Sequence, residues 1–124
     1  MKTYTHSMEP GQRSHVFGLV TGDHDAALGF YSGADVPGEA VHYHEESDEI
    51  YLPVRGRGAI WVAGKIYPLQ PGVVRRVEKG TPHRLLSLNM SFACYSIQVP
   101  SLGDKVELET PLPLQDLLRR HNLE

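Results

Sequence analysis

The stretch from Val41 to Gly58 reads VHYHEESDEIYLPVRGRG and sets two histidines, one residue apart, ahead of a second extended run. On a β-strand, residues two apart share a face, so His42 and His44 point both imidazoles to one side. If residues 45–48 form a turn, the run that begins at Glu49 returns along the first strand and brings its carboxylate to the same point. The stretch therefore predicts either a metal site or only a polar turn between two strands.

Short β-branched and aromatic runs separated by turn residues continue on both sides of this stretch, from about His15 to Pro100. The runs are HVFGLVT, AALGFYSG, AVHYH, EIYLPV, AIWVAG, KIYPL, VVRRV, HRLLSL and FACYSIQVP. Spacing of this kind is typical of β-sandwiches and barrels, so we predict an all-β fold. Only the tail differs: Pro113 to His121 has helical periodicity, which predicts a short C-terminal helix within residues 111–124.

The bulk composition limits the class of protein. A chain of 124 residues with 40% hydrophobic residues has room for one domain, residues 1–124, and excludes a second catalytic domain. A net charge of −3 gives no broad attraction to nucleic acid or anionic lipid, and no apolar stretch is long enough to span a bilayer. The lone Cys94 and the absence of a leader-like start favour the cytoplasm.

A third histidine joins the candidate site from a distance. His83 opens a predicted strand directly after a Gly-Thr-Pro turn. Three imidazoles and one carboxylate suit a first-row divalent metal, so we expect His42, His44, Glu49 and His83 to hold one ion of iron, manganese, zinc, nickel or copper.

At this point the sequence resembles the cupin superfamily, whose two motifs run roughly G(X)5HXH(X)3-4E(X)6G and G(X)5PXG(X)2H(X)3N. The first motif is matched at His42, His44, Glu49 and Gly56, and the second at Gly72, Gly80 and His83. The resemblance covers about residues 36–99. It departs from the motifs at three positions, none of which is a metal ligand. Val36 stands where the opening glycine would fall, with the glycine at Gly38 instead, Glu78 replaces the proline and Ser87 replaces the asparagine.

The resemblance implies a small jelly-roll β-barrel with the metal inside, near one open end. Three His and one Glu leave two adjacent metal positions for a small oxygenated substrate. It therefore implies a metal-dependent enzyme of dioxygenase or isomerase/lyase type. The alternatives are a cupin that binds a metal or small ligand without catalysis, and a structural partner.

Several other residues have both a functional and a structural interpretation. If Glu49 faces inward, so does Tyr51, which is either a catalytic proton donor or a core tyrosine; Arg55 is expected on the same face. Trp61 is either core or a substrate platform. The outer face of the same strand, with Ile50, Leu52 and Val54, requires cover by a second sheet or a second subunit, which predicts a homodimer.

Polar residues elsewhere are weighed in the same way. Asp23 to Asp25 could bind a surface cation but lie first of all in a turn signal. Arg75 and Arg76 point to opposite faces of a strand, where either binds a substrate carboxylate or is solvated. Gln98 faces the barrel interior only if Cys94 and Ser96 do.

Overall fold

The strands form two five-stranded antiparallel sheets. The computed structural model describes residues 1–11, 13–33 and 40–108, which contain ten strands and a short 3-10 helix at Leu19–Thr21. The strands are β1 Arg13–Phe17, β2 Ala27–Ser32, β3 His42–His44, β4 Asp48–Arg55, β5 Gly58–Val62, β6 Lys65–Leu69, β7 Arg75–Val77, β8 His83–Ser87, β9 Ala93–Val99 and β10 Lys105–Glu107. The all-β prediction is confirmed, whereas the predicted C-terminal helix lies outside the described residues.

Strands distant in sequence pair within each sheet. The first sheet has the order β1-β2-β9-β4-β7 and the second the order β10-β3-β8-β5-β6, an arrangement that confirms the predicted jelly roll. The inner faces of both sheets build the main core. Its buried residues are Tyr31, Tyr51, Ile60, Leu69, Val77, Leu85, Phe92 and Cys94. Because β3 and β4 lie in different sheets, their inward side chains meet across the barrel.

Two strand predictions need correction. The run HVFGLVT was expected to be one strand, but β1 ends at Phe17 and Leu19–Thr21 forms the 3-10 helix. The Thr21 hydroxyl accepts from the Gly18 N–H, and the Thr21 backbone N–H donates to the Gly18 carbonyl, so a local turn competes with strand pairing. The second correction concerns β10 at Lys105–Glu107. The sequence did not predict this strand, because the predicted strands end at about Pro100.

The turn after β4 approaches the start of β9 closely. Gly56 has a φ of 71°, and a Cβ there would lie 2.5 Å from the Phe92 backbone nitrogen. A Cβ on Gly58 would lie 2.3 Å from the Phe92 ring. The register of β4 against β9 also shifts between Pro53 and Arg55, which carries Arg55 out to the exposed surface.

The outer face of the first sheet is partly covered by the chain's own N-terminal segment. His6 stacks on Phe30 at 4.6 Å between ring centroids, and its Nε2 lies 3.0 Å from the Tyr95 hydroxyl. Val54 and Val99 on the same face stay 43% and 40% exposed. The predicted homodimer therefore stays a prediction. Within the described ranges, no helix has the length and apolar character needed to cross a membrane.

Candidate metal centre

Four side chains converge inside the barrel. His42 and His44 come from β3, and His83 comes from the neighbouring β8, where it is paired directly with His42. Glu49 reaches the same point from β4 in the other sheet. One ligand atom from each of the four lies within 4.8 Å of the others, and all four residues are buried.

The centre of the cluster is one oxygen of Glu49. Its Oε1 lies 2.8 Å from the Nε2 of His83, 3.5 Å from that of His44 and 3.6 Å from that of His42. The shortest of these distances, to His83, has hydrogen-bond geometry. The Nε2 of His44 is buried and has no hydrogen-bond partner among the described residues. A buried polar atom in that situation needs a ligand, because leaving it unsatisfied costs free energy.

Each imidazole is held from behind through its other nitrogen. The Nδ1 of His42 lies 2.9 Å from the Ala40 carbonyl oxygen, and that of His83 lies 2.8 Å from the Thr81 carbonyl oxygen. The Nδ1 of His44 lies 3.1 Å from a carboxylate oxygen of Asp104. An Nδ1–H donated to such an oxygen leaves Nε2 as the metal-binding atom, which is how ligating histidines are usually oriented.

The Glu49 carboxylate is held on both oxygens. The Tyr51 hydroxyl donates to Oε1 at 2.7 Å, and the Ser96 hydroxyl donates to Oε2 at 2.6 Å. Burial raises the pKa of this carboxyl, but contacts with the three imidazoles more than compensate and hold the pKa of Glu49 well below its usual range. The residue is therefore an anion at neutral pH, as a metal ligand must be.

The electrostatics of His44 reflect two carboxylates. Burial lowers the pKa of this imidazole, but the adjacent Glu49 and Asp104 outweigh burial and raise it. Together with the converging nitrogens and the unsatisfied Nε2, this acidic surrounding favours a positive charge at the centre of the cluster. The donor set fits a first-row divalent cation.

The other predicted site residues fall into two groups. Tyr51 faces inward but is 1% exposed and lies behind Glu49 in the core. Gln98 also faces inward, where its amide donates to Ser47 and Asp104. Trp61 instead packs on the outer face of the second sheet, against Ala59 and Leu86, and so does not reach the cluster.

Residues away from the barrel interior have structural partners. Arg76 forms an ion pair with Asp48. The guanidinium carbon of Arg75 lies 5.4 Å from the Tyr67 ring centroid. Both arginines belong to β7, at the opposite edge of the barrel from β3. Asp23 accepts hydrogen bonds from Lys2, Tyr4 and Thr21 and so anchors the N-terminal segment. Its three donors explain this acidic turn without a cation.

Sequence reasoning missed Asp104. It precedes β10 and lies 60 residues from His44 along the chain, so no local spacing marks it. Its carboxylate also accepts hydrogen bonds from the Ser47 hydroxyl and the Glu46 backbone. The predicted turn at residues 45–48 is correspondingly shorter: Asp48 begins β4, and Ser47 is buried against Asp104 rather than solvated.

Replacing Asp104 by alanine is expected to weaken metal binding about 10–100-fold, because the His44 ring loses the acceptor that fixes its orientation. The measurement is a competition titration of Zn²⁺ against a chromophoric chelator. Glu46→Ala is the matched control, since its side chain is exposed and only its backbone contacts Asp104. Equal affinities of the Asp104 variant and the wild type would contradict a supporting role for Asp104.

Comparison with known proteins agrees with this fold. Residues 32–90 match a family model described as "Cupin domain", and curated proteins yield no match. A double-stranded β-helix protein from Klebsiella pneumoniae superposes with a TM-score of 0.66 at 17% identity, over 86% of this chain and 90% of that one. A cupin protein from Bacteroides fragilis superposes with a TM-score of 0.61 at 25% identity, over 89% of this chain and 93% of that one. A sugar phosphate isomerase from Silicibacter pomeroyi superposes with a TM-score of 0.62 at 16% identity, over 84% of this chain and 74% of that one.

Proposed function

The chain carries a domain of the cupin superfamily, and from this premise we propose that it is a metal-dependent enzyme acting on a small oxygenated metabolite. His42, His44 and His83 would hold one divalent ion through Nε2, and Glu49 through its carboxylate. When bound, such an ion supplies Lewis-acid chemistry at an oxygen atom of the substrate or at O₂. Isomerase or lyase chemistry and dioxygenase chemistry are the two branches of this proposal.

One observation carries the proposal: three imidazoles and a carboxylate converge on a buried point while every ring is oriented by an oxygen behind it. Histidines that served only packing would not need this shared orientation. A site whose supporting contacts hold the ligands in place is preorganised, which favours both metal affinity and chemistry.

The structure also supports access by a small molecule. A cavity of about 160 Å³ adjoins the cluster and is lined by His42, His44 and Glu49. Tyr51 does not line it, and its hydroxyl is directed at Glu49. In this proposal Tyr51 is a positioning residue that holds the carboxylate, and the catalytic role predicted for it stays a prediction.

The experiment that tests the proposal combines metal analysis with a substrate panel. Protein produced with added iron, manganese, nickel or zinc is expected to hold about one ion per chain. Each loaded form is then offered small hydroxy acids, hydroxyketones and diketones while O₂ consumption is recorded. Metal-dependent turnover with O₂ uptake supports the dioxygenase branch, and turnover without uptake supports the isomerase/lyase branch.

Two results would contradict the proposal in different ways. A protein that stays empty after supplementation with all four metals would contradict the metal site itself. A protein that holds metal and binds panel compounds without converting any of them would favour the non-catalytic ligand-binding alternative. Glu49→Gln is the matched variant for both the metal analysis and the substrate panel, because it keeps the size of the Glu49 side chain and removes its charge.

A further inference from the structure

The cavity beside the cluster carries cationic residues that the metal site does not use. It lies between the two edge strands β1 and β10, and the inward faces of β2, β3, β4 and β9 complete it. Besides the three metal-ligating residues, its lining includes Arg13 and His15 from β1 and Lys105 from β10. Neither Arg13 nor Lys105 belongs to the sequence motifs that predicted the site.

Lys105 lies next to a metal ligand. It is paired directly with His44 in the antiparallel register of β10 and β3. Directly opposed residues of an antiparallel pair share a face, so the lysine side chain projects to the side of the sheet where His44 meets the cluster. Its ammonium lies 3.6 Å from the Glu107 carboxylate, but Glu107 is 60% exposed, and solvent-exposed pairs of this kind contribute little.

Arg13 approaches from the opposite sheet. It is paired with Tyr31, and its guanidinium carbon lies 5.3 Å from the Tyr31 ring centroid. Tyr31 itself lines the cavity, so the stack directs the guanidinium along the cavity wall. His15, two residues further along the same face, has its pKa lowered by burial and by the charges of Arg13 and Lys105, which agrees with both cations lying close to this imidazole.

The cationic residues of the lining favour an anionic ligand. Besides the acidic Glu49, the described cavity lining holds Arg13 and Lys105, and the proposed divalent ion would add further positive charge. Polar groups that converge in a small cavity usually fix the orientation of its ligand. An engineered cavity of about 150 Å³ holds benzene, so the volume here suits an acid of about four carbons.

We infer that the substrate of the proposed enzyme is a small carboxylic acid whose carboxylate is bound by Arg13 and Lys105 while its other oxygen-bearing end lies against the His42, His44, Glu49 and His83 cluster. The inference rests on the proposed function and adds the substrate class to it. Arg13 and Lys105 are specificity residues in this scheme: they hold the anionic end of the substrate and thereby orient the rest toward the cluster.

The test compares two probes that differ only at one end. Malate carries a 2-hydroxy acid group and a distal carboxylate, and 2-hydroxybutanoate replaces that distal carboxylate by a methyl group. Binding of each to the Mn²⁺-loaded protein is measured by isothermal titration calorimetry, with metal content determined on the same samples. We expect the wild type to bind malate at least about ten-fold more tightly, the scale of a hydrogen bond to a charged group.

The variants locate the origin of that preference. Arg13→Gln and Lys105→Gln are each expected to reduce the preference for malate several-fold, and together to reduce it to less than about two-fold, with metal content unchanged. Arg13→Lys is expected to restore part of it. Lys65→Gln, an exposed lysine on β6 at the far edge of the barrel, is the matched control and is expected to behave as the wild type.

The outcomes separate this inference from the proposal on which it rests. A metal-loaded wild type without preference for malate, or a double variant that keeps the full preference, would overturn the inference and leave the metal enzyme intact. A wild type that holds no metal would contradict the proposed function and the inference together.

Discussion

Alanine at both His42 and His83 is expected to reduce the metal content of the purified protein from about one ion per chain to below about 0.1. The two residues are directly paired across β3 and β8 and supply two of the four converging ligand atoms. The remaining His44 and Glu49 form an incomplete site, which cannot compete with a chelator for a first-row metal. Elemental analysis after dialysis against a weak chelator measures the difference.

Thermal denaturation provides an independent measurement of the same loss. A ligand at about 100 times its dissociation constant stabilises the native state by about 2.7 kcal/mol, so Zn²⁺ should raise the Tm of the wild type by roughly 10 °C. The double variant should show no rise. His24→Ala is the matched control, since its side chain is exposed and its backbone carbonyl, not its imidazole, accepts the hydrogen bond from Ser101. Metal retained by the double variant would show that the ion binds elsewhere.

The second large effect is expected at Gly56. Replacement by alanine should lower the free energy of unfolding by about 2–5 kcal/mol, because two costs add. A non-glycine residue at positive φ costs about 1–2 kcal/mol, and overpacking costs about 1–3 kcal/mol. The Cβ would lie 2.5 Å from the Phe92 backbone nitrogen, and backbone cannot move aside as a flexible side chain can. Urea denaturation followed by circular dichroism measures the change.

Gly80→Ala separates the two contributions. Gly80 has a φ of 78°, close to that of Gly56, but nothing lies within 4 Å of its Cβ position. The Gly80 variant should therefore lose only about 1–2 kcal/mol. If both variants lose the same free energy, close packing against Phe92 is not the reason for the glycine at position 56.

Much of the candidate site could be predicted because its signals are local. Alternation along β3 places His42 and His44 on one face. The expected return of β4 along β3 was wrong, because the two strands lie in different sheets and Glu49 faces the histidines across the barrel. Periodicity of two is a property of the extended backbone itself, so it survives whatever the tertiary structure does. The face of Gln98, which phase along the strand left open, required the actual pairing of β9 with β2 and β4.

Two predictions failed because a particular contact overrode the simple alternation of a strand. Arg55 was expected on the face of Glu49, but the irregular register between β4 and β9 reverses its direction. The strand predicted across HVFGLVT stops at Phe17, because Thr21 bonds back to Gly18. In both cases a contact outside the local alternation decides where the side chain points.

By itself the sequence determined the all-β class, the two inward histidines of β3 and the positions of Glu49 and His83, because strand periodicity and motif spacing act over a few residues. Only the tertiary structure decided what surrounds them. Asp104 behind His44, and Arg13 and Lys105 along the cavity, come from edge strands or loops far from the motifs. Their positions follow from how the two sheets pair and pack, and long-range packing leaves no periodic trace in the chain.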